Sequence, residues 1–266
     1  MRLLAGVLGG VLLVLLGLPV VSLVLRISPG LLLDRLSEPP VLEALRLSLV
    51  TSLAATAAVV ALGLPVAYLL AMREFPAKRA LEALIDLPMV LPPTVAGVAL
   101  LTAFGRNGLA GRVLSAFGVT LPFTTLGVVV AQTFVAAPFF ISAARAGFTE
   151  VDRKYLDAAS TLRASPVRAF LMVLGPLATP ALLAGAATGW ARALGEFGAT
   201  ITFAGNMPGV TQTMPLAVYL ALQSDLDAAI ALSVLLLLFS LAILLTIRLG
   251  PSRLTAVIAR ARRPAR

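Results

Sequence analysis

The sequence predicts an all-α protein, a polytopic membrane bundle of six transmembrane helices whose N and C termini are both cytoplasmic. Of its 266 residues, 59% are hydrophobic and only 12% are charged, whereas about a quarter of a soluble domain is charged. Six apolar segments approach or exceed the roughly 20 residues that a helix needs to cross a bilayer. Lysine and arginine are concentrated in alternate loops. We expect one membrane domain over residues 1–266.

The predicted spans end at charged residues or at turn residues. The apolar stretch Val113–Ala144 is too long for one helix, and its Gly118 and Pro122 place the span after them. The first segment has an apolar run longer than the 7–15 residues of a signal-peptide core, so we expect it to be a retained span. The predicted spans are Leu3–Leu25, Leu47–Met72, Leu87–Gly105, Thr124–Ala144, Ala169–Ala191 and Ala228–Ile247.

The net charge of +9 follows the topology. With a cytoplasmic N-terminus, the inside segments hold 15 of the 21 basic residues, six of them in the tail from Arg248 to Arg266, and the outside loops hold 6. This asymmetry is typical of membrane proteins, so no nucleic-acid partner is expected. The chain has no cysteine and no histidine, which excludes disulfides and metal sites built from thiolate or imidazole ligands. No metal site is predicted.

The fourth loop contains a short amphipathic helix, expected at about residues 149–166. Thr149 is a candidate N-cap, and Ser165-Pro166 stops this helix and starts the next one. The predicted helix has about 14 residues and a length of about 21 Å. Such a helix can lie on the lipid surface, fold back on its own bundle or dock into a partner. Its apolar residues recur at helical spacing: Val151, Tyr155, Ala158 or Ala159, and Leu162.

This loop resembles the EAA loop of ABC-importer permeases. Asp157-Ala158-Ala159 fills the Glu-Ala-Ala triplet, whereas Arg163 stands where glycine is usual, which leaves the turn geometry open. In that family the loop forms a coupling helix that rests in a cleft of the cytoplasmic ATPase. The resemblance therefore implies a set of ATPase-coupling residues, namely Tyr155, Asp157, Ala158, Ala159, Leu162 and Arg163.

The chain itself is not predicted to be an enzyme. A P-loop needs Gly-Lys-Ser/Thr, and neither Lys78 nor Lys154 follows a glycine. No catalytic residue and no cofactor is expected on this chain, and ATP and Mg²⁺ would bind to the partner ATPase.

Polar residues are concentrated between the last two spans. Arg192 and Glu196 are four residues apart and can pair on one helix face. An ionisable pair against an apolar span indicates a functional site, but it can equally anchor the outer end of a helix. Thr200, Thr202 and Asn206 are hydrogen-bond donors suited to an oxyanion, although Gly205-Asn206 also marks a turn.

Two sequence blocks indicate a particular branch of the importer permeases. "ARALGEFGATITFAGN" and "LPMVLPPTVAGVALLTAFGRNG" look like the molybdate/tungstate permeases, and the sulfate permeases are close relatives. This implies a homodimer in the prokaryotic inner membrane, with an ATPase dimer and an extracytoplasmic oxyanion-binding protein as partners. The implied pathway or gate residues are Arg192, Glu196, Thr200, Thr202, Asn206, Pro92, Pro93 and Thr94.

Other classes remain as alternatives at this point. Within the same family, the substrate could be sulfate or thiosulfate. An ion-coupled secondary transporter usually carries acids or broken helices within the membrane, whereas the acids here lie in loops or near span ends. A membrane-embedded enzyme would need a catalytic constellation inside a span, and the absence of His and Cys leaves few options.

Overall fold

The computed structural model describes the backbone of residues 2–261 and the side chains of residues 4, 6–243 and 245. The described backbone is mostly helical and contains no strand, which confirms the all-α prediction. The side chains of the basic tail from Arg248 onward lie outside the described residues. The helices are α1 Arg2–Leu25, α2 Pro29–Leu36, α3 Pro39–Met72, α4 Lys78–Val90, α5 Pro93–Phe104, α6 Gly111–Ala116, α7 Thr125–Glu150, α8 Arg153–Thr161, α9 Pro166–Ala169, α10 Gly175–Leu194, α11 Gly198–Ala204, α12 Met214–Leu222 and α13 Leu226–Ala261. A π-helical turn, Phe170–Leu174, joins α9 to α10.

Five helical segments are long and apolar enough to cross a membrane within the described residues. They are Gly6–Leu25, Pro39–Met72, Thr125–Glu150, Pro166–Leu194 and Leu226–Ile243. They correspond to five of the six predicted spans, and this confirms a polytopic helical membrane protein.

The third predicted span, Leu87–Gly105, is not one continuous helix. The chain bends by 119° between α4 and α5, and six spans result only if this bent pair counts as one. Leu91 is extended, with φ −65° and ψ 133°, because the residue before a proline is pushed out of the helical region. Pro92 and Pro93 then begin the next helix, where no backbone N–H is needed.

Helices α3, α7 and α10 form the centre of the bundle. A Cβ atom on Gly185 of α10 would lie 2.8 Å from Ala143 Cβ of α7, and one on Gly63 of α3 would lie 3.0 Å from Ile141 Cγ1. Only glycine permits such close approach, which is how helices commonly pack in membranes. The antiparallel contact between α7 and α10 places Ala136 beside Gly189.

Two buried hydrogen bonds fix neighbouring helices to α3. The indole Nε1 of Trp190 donates to Ser52 Oγ at 3.1 Å, and the backbone N of Met214 donates to Ser48 Oγ at 2.7 Å. All four residues are buried. Since a polar group in an apolar interior needs a partner, these bonds hold α10 and α12 at a defined position along α3.

Candidate functional site

The predicted pair of Arg192 and Glu196 forms an ion pair at the end of α10. Arg192 Nη1 lies 2.6 Å from Glu196 Oε2, and the Glu196 side chain is 1% exposed while that of Arg192 is 29% exposed. The other carboxylate oxygen, Oε1, accepts a hydrogen bond from the backbone N of Ala199 at 2.8 Å. The carboxylate thus joins the end of α10 to the first turn of α11, and the guanidinium keeps one side accessible.

The two sequence blocks that resemble oxyanion permeases lie against each other. A Cβ atom on Gly198 of α11 would lie 2.5 Å from Pro93 Cβ, and one on Gly97 of α5 would lie 2.5 Å from Thr202 Cβ. Helices α5 and α11 therefore meet at glycines on both sides. Pro92, Pro93 and Thr94 remain exposed at this contact.

The hydroxyl and amide groups predicted to bind an oxyanion are largely buried or already hydrogen-bonded. Thr200 is fully buried, and the Thr202 hydroxyl donates to Gly198 O at 2.9 Å. Asn206 is half-buried, next to the turn at Gly205, where φ is +77°. The structure therefore groups Arg192, Glu196 and the start of α5 around α11, but Thr200 does not reach a surface of the described chain.

Sequence reasoning did not single out Gln132. This residue of α7 is fully buried, and neither atom of its amide has a hydrogen-bond partner among the described residues. The contacts between α7 and α10 place it at about the level of Ala193, one turn above Ala136. The available signal was a glutamine inside the apolar run "VVVAQTFVAA".

The second predicted site is the loop between α7 and α10, and its helix begins later than expected. Thr149 is not an N-cap, because it belongs to the last turn of α7 and its hydroxyl donates to Arg145 O at 2.8 Å. Asp152 takes that role, and its carboxylate accepts from the backbone N of Lys154 at 3.0 Å. Helix α8 consequently has nine residues, fewer than the predicted 14.

The next helix begins as predicted. Ser165 is the N-cap of α9, its hydroxyl accepts from the backbone N of Arg168 at 3.3 Å, and Pro166 occupies the first turn. Two helix starts, Asp152 and Ser165, therefore bound the loop. The segment between α7 and α9 covers residues 151–165, compared with the predicted limits of about 149–166.

Helix α8 has one face against the bundle and one face free. Ala159 is 7% exposed, and Val151 and Leu156 pack against the central hydrophobic cluster. Leu162 is 83% exposed and Tyr155 is 49% exposed, and Asp157 and Ala158 are also exposed. Of the three placements that spacing alone left open, the structure shows a helix folded back on the bundle through Leu156, with the apolar side chains of Tyr155 and Leu162 still accessible.

The backbone of Arg163 shows the geometry of the turn at the position where glycine is usual. Its φ is +57°, in the left-handed region that glycine normally supplies. The backbone N of Arg163 donates to Ser160 O at 2.9 Å, and that of Ala164 donates to Ala159 O at 3.0 Å. These two bonds form a Schellman motif, whose C′ position favours glycine. The turn is therefore retained with arginine in a strained backbone conformation.

Ionisable groups stabilise the start of α8. Lys154 Nζ lies 2.7 Å from Asp152 Oδ2. The pKa of the Asp152 carboxyl is lowered, first by the hydrogen bond from the Lys154 side chain and then by the one from its backbone amide. The pKa of Lys154 is raised by the same side-chain hydrogen bond. Both groups are charged at neutral pH, so the N-cap is permanently ionised there.

The fold and the two sites define a membrane permease: a helical bundle with a polar segment folded against α5 at one end and an accessible helix between two spans at the other. The chain belongs to the family described as binding-protein-dependent transport system inner membrane component, whose model matches residues 60–250. The resemblance to importer permeases is thereby confirmed, and the chain is an integral protein of the inner membrane. Membership in a transporter family that depends on a binding protein does not support the alternatives of an ion-coupled carrier or a membrane enzyme.

Individual permeases of similar sequence extend the comparison. The molybdenum transport system permease protein ModB of Mycobacterium tuberculosis is 42% identical over 232 residues, which cover 87% of this chain and 88% of that protein. The sulfate transport system permease protein CysT of Salmonella typhimurium is 36% identical over 240 residues, covering 89% and 87%. A bacterial alginate ABC transporter, solved with an alginate pentasaccharide-bound periplasmic protein, matches with a TM-score of 0.76 at 16% identity over 96% of this chain and 95% of that one. At that identity, the match shows the shared fold alone.

Proposed function

We propose that this chain is the permease subunit of an ATP-driven importer of molybdate or tungstate. The observation that carries the proposal is the 42% identity to a molybdenum permease across 87% of this chain. In the proposed complex, two copies of the chain enclose the pathway, two ATPase subunits bind at the cytoplasmic side, and an extracytoplasmic binding protein delivers the oxyanion. ATP and Mg²⁺ are used on the ATPase subunits.

The free face of α8 supports the ATPase partner. Tyr155, Ala158 and Leu162 recur at helical spacing and are exposed, and an amphipathic helix of this kind docks into a groove of a partner. Asp157 adds an accessible carboxylate beside them. Because Val151 and Leu156 pack against the hydrophobic cluster formed by α3, α7 and α10, a movement of the ATPase would pass through these contacts to the bundle.

The accessible side of Arg192 supports an anion pathway. Its charge is partly balanced by Glu196, so an oxyanion would meet a weakly positive site rather than a full uncompensated cation. A translocation pathway must bind its substrate weakly enough to release it. We therefore assign Arg192 to a gate or lining role, and tight selection to the binding protein.

The face that carries Pro92, Pro93 and Thr94 supports contact with the second copy. Val95 and Val98 continue this face and are 47% and 51% exposed. In the proposed alternating-access cycle, ATP favours one of two bundle arrangements through its differential affinity for them. The contact of α5 with α11 is the element at which the pathway would open.

Uptake into proteoliposomes tests the substrate. The vesicles contain this chain, its ATPase and its binding protein, and nucleotide-driven uptake is measured while molybdate, tungstate and excess sulfate compete. Inhibition by molybdate or tungstate but not by sulfate is the expected result. Uptake that neither molybdate nor tungstate inhibits would contradict the proposal.

Sulfate is the second candidate substrate, because the sulfate permease relative is 36% identical over 89% of this chain. The same competition assay separates the two. Uptake inhibited chiefly by sulfate would assign the chain to that substrate while leaving the ATPase-driven mechanism in place.

Ala158→Glu tests the docking face. A carboxylate in the centre of an apolar contact is desolvated without a partner, so we expect the ATPase no longer to co-purify. Ser160→Glu adds the same charge at an exposed position on another face of α8 and should leave co-purification intact. Retention of the ATPase by Ala158→Glu, or its equal loss from both variants, would contradict the assigned face.

Arg192→Ala tests the pathway role. Because the proposed pathway passes the guanidinium, we expect impaired uptake together with intact assembly of the ATPase. Normal uptake by this variant would remove Arg192 from the pathway.

A further inference from the structure

An apolar groove lies between α3 and the start of the membrane segment Pro166–Leu194. Its volume is 290 Å³, and it is bounded by Leu64, Pro65, Tyr68, Pro166, Val167, Phe170 and Leu171. The rings of Tyr68 and Phe170 meet edge to face at 5.5 Å between centroids, and Phe148 packs against both. The groove thus has a rigid aromatic wall and an almost wholly apolar lining.

The groove lies at membrane depth. Both of its walls belong to segments that are long and apolar enough to cross a membrane. Tyr68 stands four residues and Leu64 eight residues before Met72, where α3 ends, so they lie about 6 Å and 12 Å along the helix axis from that end. The other wall begins directly after the loop that contains α8. The molecules that surround such a groove are inner-leaflet lipids rather than water.

Two arginines lie close in sequence to the groove walls, at the end nearest the loop. Arg168 follows Val167 in the groove wall, and Arg73 follows the last residue of α3. Both are exposed, and neither forms an ion pair with any described residue. Basic pockets between membrane helices on the cytoplasmic side bind acidic lipid headgroups. An apolar slot with cations at its mouth matches the two ends of an acidic phospholipid.

We propose that this groove is a binding site for an inner-leaflet acidic phospholipid, with one acyl chain against Tyr68, Phe170 and Leu171 and the headgroup phosphate at Arg168. The site is separate from the proposed pathway at Arg192 and Glu196. A bound lipid would fill the space between α3 and the π-helical turn, where the chain enters the membrane from α8. Occupancy would then contribute to holding that entry in place.

Tryptophan quenching by lipids with brominated acyl chains tests the site. The reporter Leu171→Trp places an indole at the groove. Leu62→Trp is the control for contact with bulk lipid, because Leu62 lies on α3 and is 68% exposed without lining the groove. Native Trp190 is 2% exposed and gives a constant background. The full chain is reconstituted in vesicles in which brominated phosphatidylglycerol or phosphatidylcholine replaces unlabelled lipid stepwise, with and without the ATPase.

The site requires half-maximal quenching of Leu171→Trp at a lower mole fraction of brominated phosphatidylglycerol than for Leu62→Trp. One cation near an acidic headgroup should give a preference for phosphatidylglycerol over phosphatidylcholine of about fivefold, and Arg168→Gln in the reporter chain should abolish it. Identical curves for reporter and control, absence of headgroup preference, or protection from quenching when the ATPase is added would overturn the proposal. If Leu171→Trp does not fold, Val167→Trp serves as the reporter with the same outcomes. None of these results depends on which anion is transported.

Discussion

Replacement of Arg163 by glycine should stabilise the loop that carries α8. An L-residue in the left-handed region costs about 1–2 kcal/mol relative to glycine, and Arg163 has a φ of +57°. Glycine returns about 0.4–1 kcal/mol of this through the larger entropy of the unfolded chain. The expected net gain is therefore about 0.5–1 kcal/mol, which corresponds to about a two- to fivefold change in the local opening equilibrium.

Amide hydrogen exchange measures this gain directly. The backbone N of Ala164 bonds to Ala159 O, so its exchange should slow by about two- to fivefold in Arg163→Gly. Arg163→Ala is the matched control, since alanine removes the charge but keeps a Cβ atom at the same φ. Equal exchange in both variants would show that charge, and not backbone strain, governs this turn, and the reasoning from φ would be refuted.

Three further variants probe individual polar contacts. Ser52→Ala leaves the Trp190 indole N–H without its acceptor, and thermal unfolding should show a loss of about 1–3 kcal/mol; an unchanged midpoint would contradict this. Glu196→Gln leaves the Arg192 side chain, which is 29% exposed, without its ion-pair partner, and the free energy of unfolding should fall by about 1–3 kcal/mol. Adding Arg192→Met should recover part of this loss. Additive losses in the double variant would contradict the pairing. The pKa of Asp225 is lowered below 3.8, first by a backbone amide of α13 and also by a nearby arginine. Its stabilising contribution is therefore present above pH 3.8 and lost as the pH falls through the lowered pKa, so the unfolding midpoints of wild type and Asp225→Asn should differ at neutral pH and converge in strong acid.

The spans could be predicted from hydropathy, because a helix that crosses the bilayer must consist mainly of apolar residues. The bend between α4 and α5 was not predicted, because a sum over apolar residues contains no information about direction. The signal was nevertheless present in Leu91-Pro92-Pro93, since a residue before proline leaves the helix. Two adjacent prolines inside an apolar run therefore predict a break in the helix, even where the length of the run suggests one continuous span.

A helix N-cap was predicted correctly where only one cap-forming residue lay near the start of the helix. Ser165-Pro166 has no rival nearby, and its cap was correct. Thr149 and Asp152 are both cap-formers three residues apart, and the outcome depended on how far α7 extends. The Thr149 hydroxyl bonds back to Arg145 O instead, which is the usual behaviour of threonine inside a helix.

The candidate sites were partly accessible from spacing. The four-residue interval between Arg192 and Glu196 correctly indicated a pair, because it joins positions on one helix face. Its attachment to Ala199 was not predictable, since it depends on where α10 ends. The contact between Pro93 and Gly198 joins residues about 100 positions apart, and no local pattern encodes such a contact.

The length of α3 has a mechanical consequence. Its 34 residues give a rod of about 51 Å, whereas the hydrocarbon layer is about 30 Å thick. Its buried residues run from Val41 to Leu70, so it moves together with the neighbours packed along it, and a tilt of about 5° about its centre displaces each tip by about 2 Å. A small rocking of the bundle is therefore delivered to both water-facing surfaces at once and in opposite directions. A single helix can in this way report the state of one side of the membrane to the other.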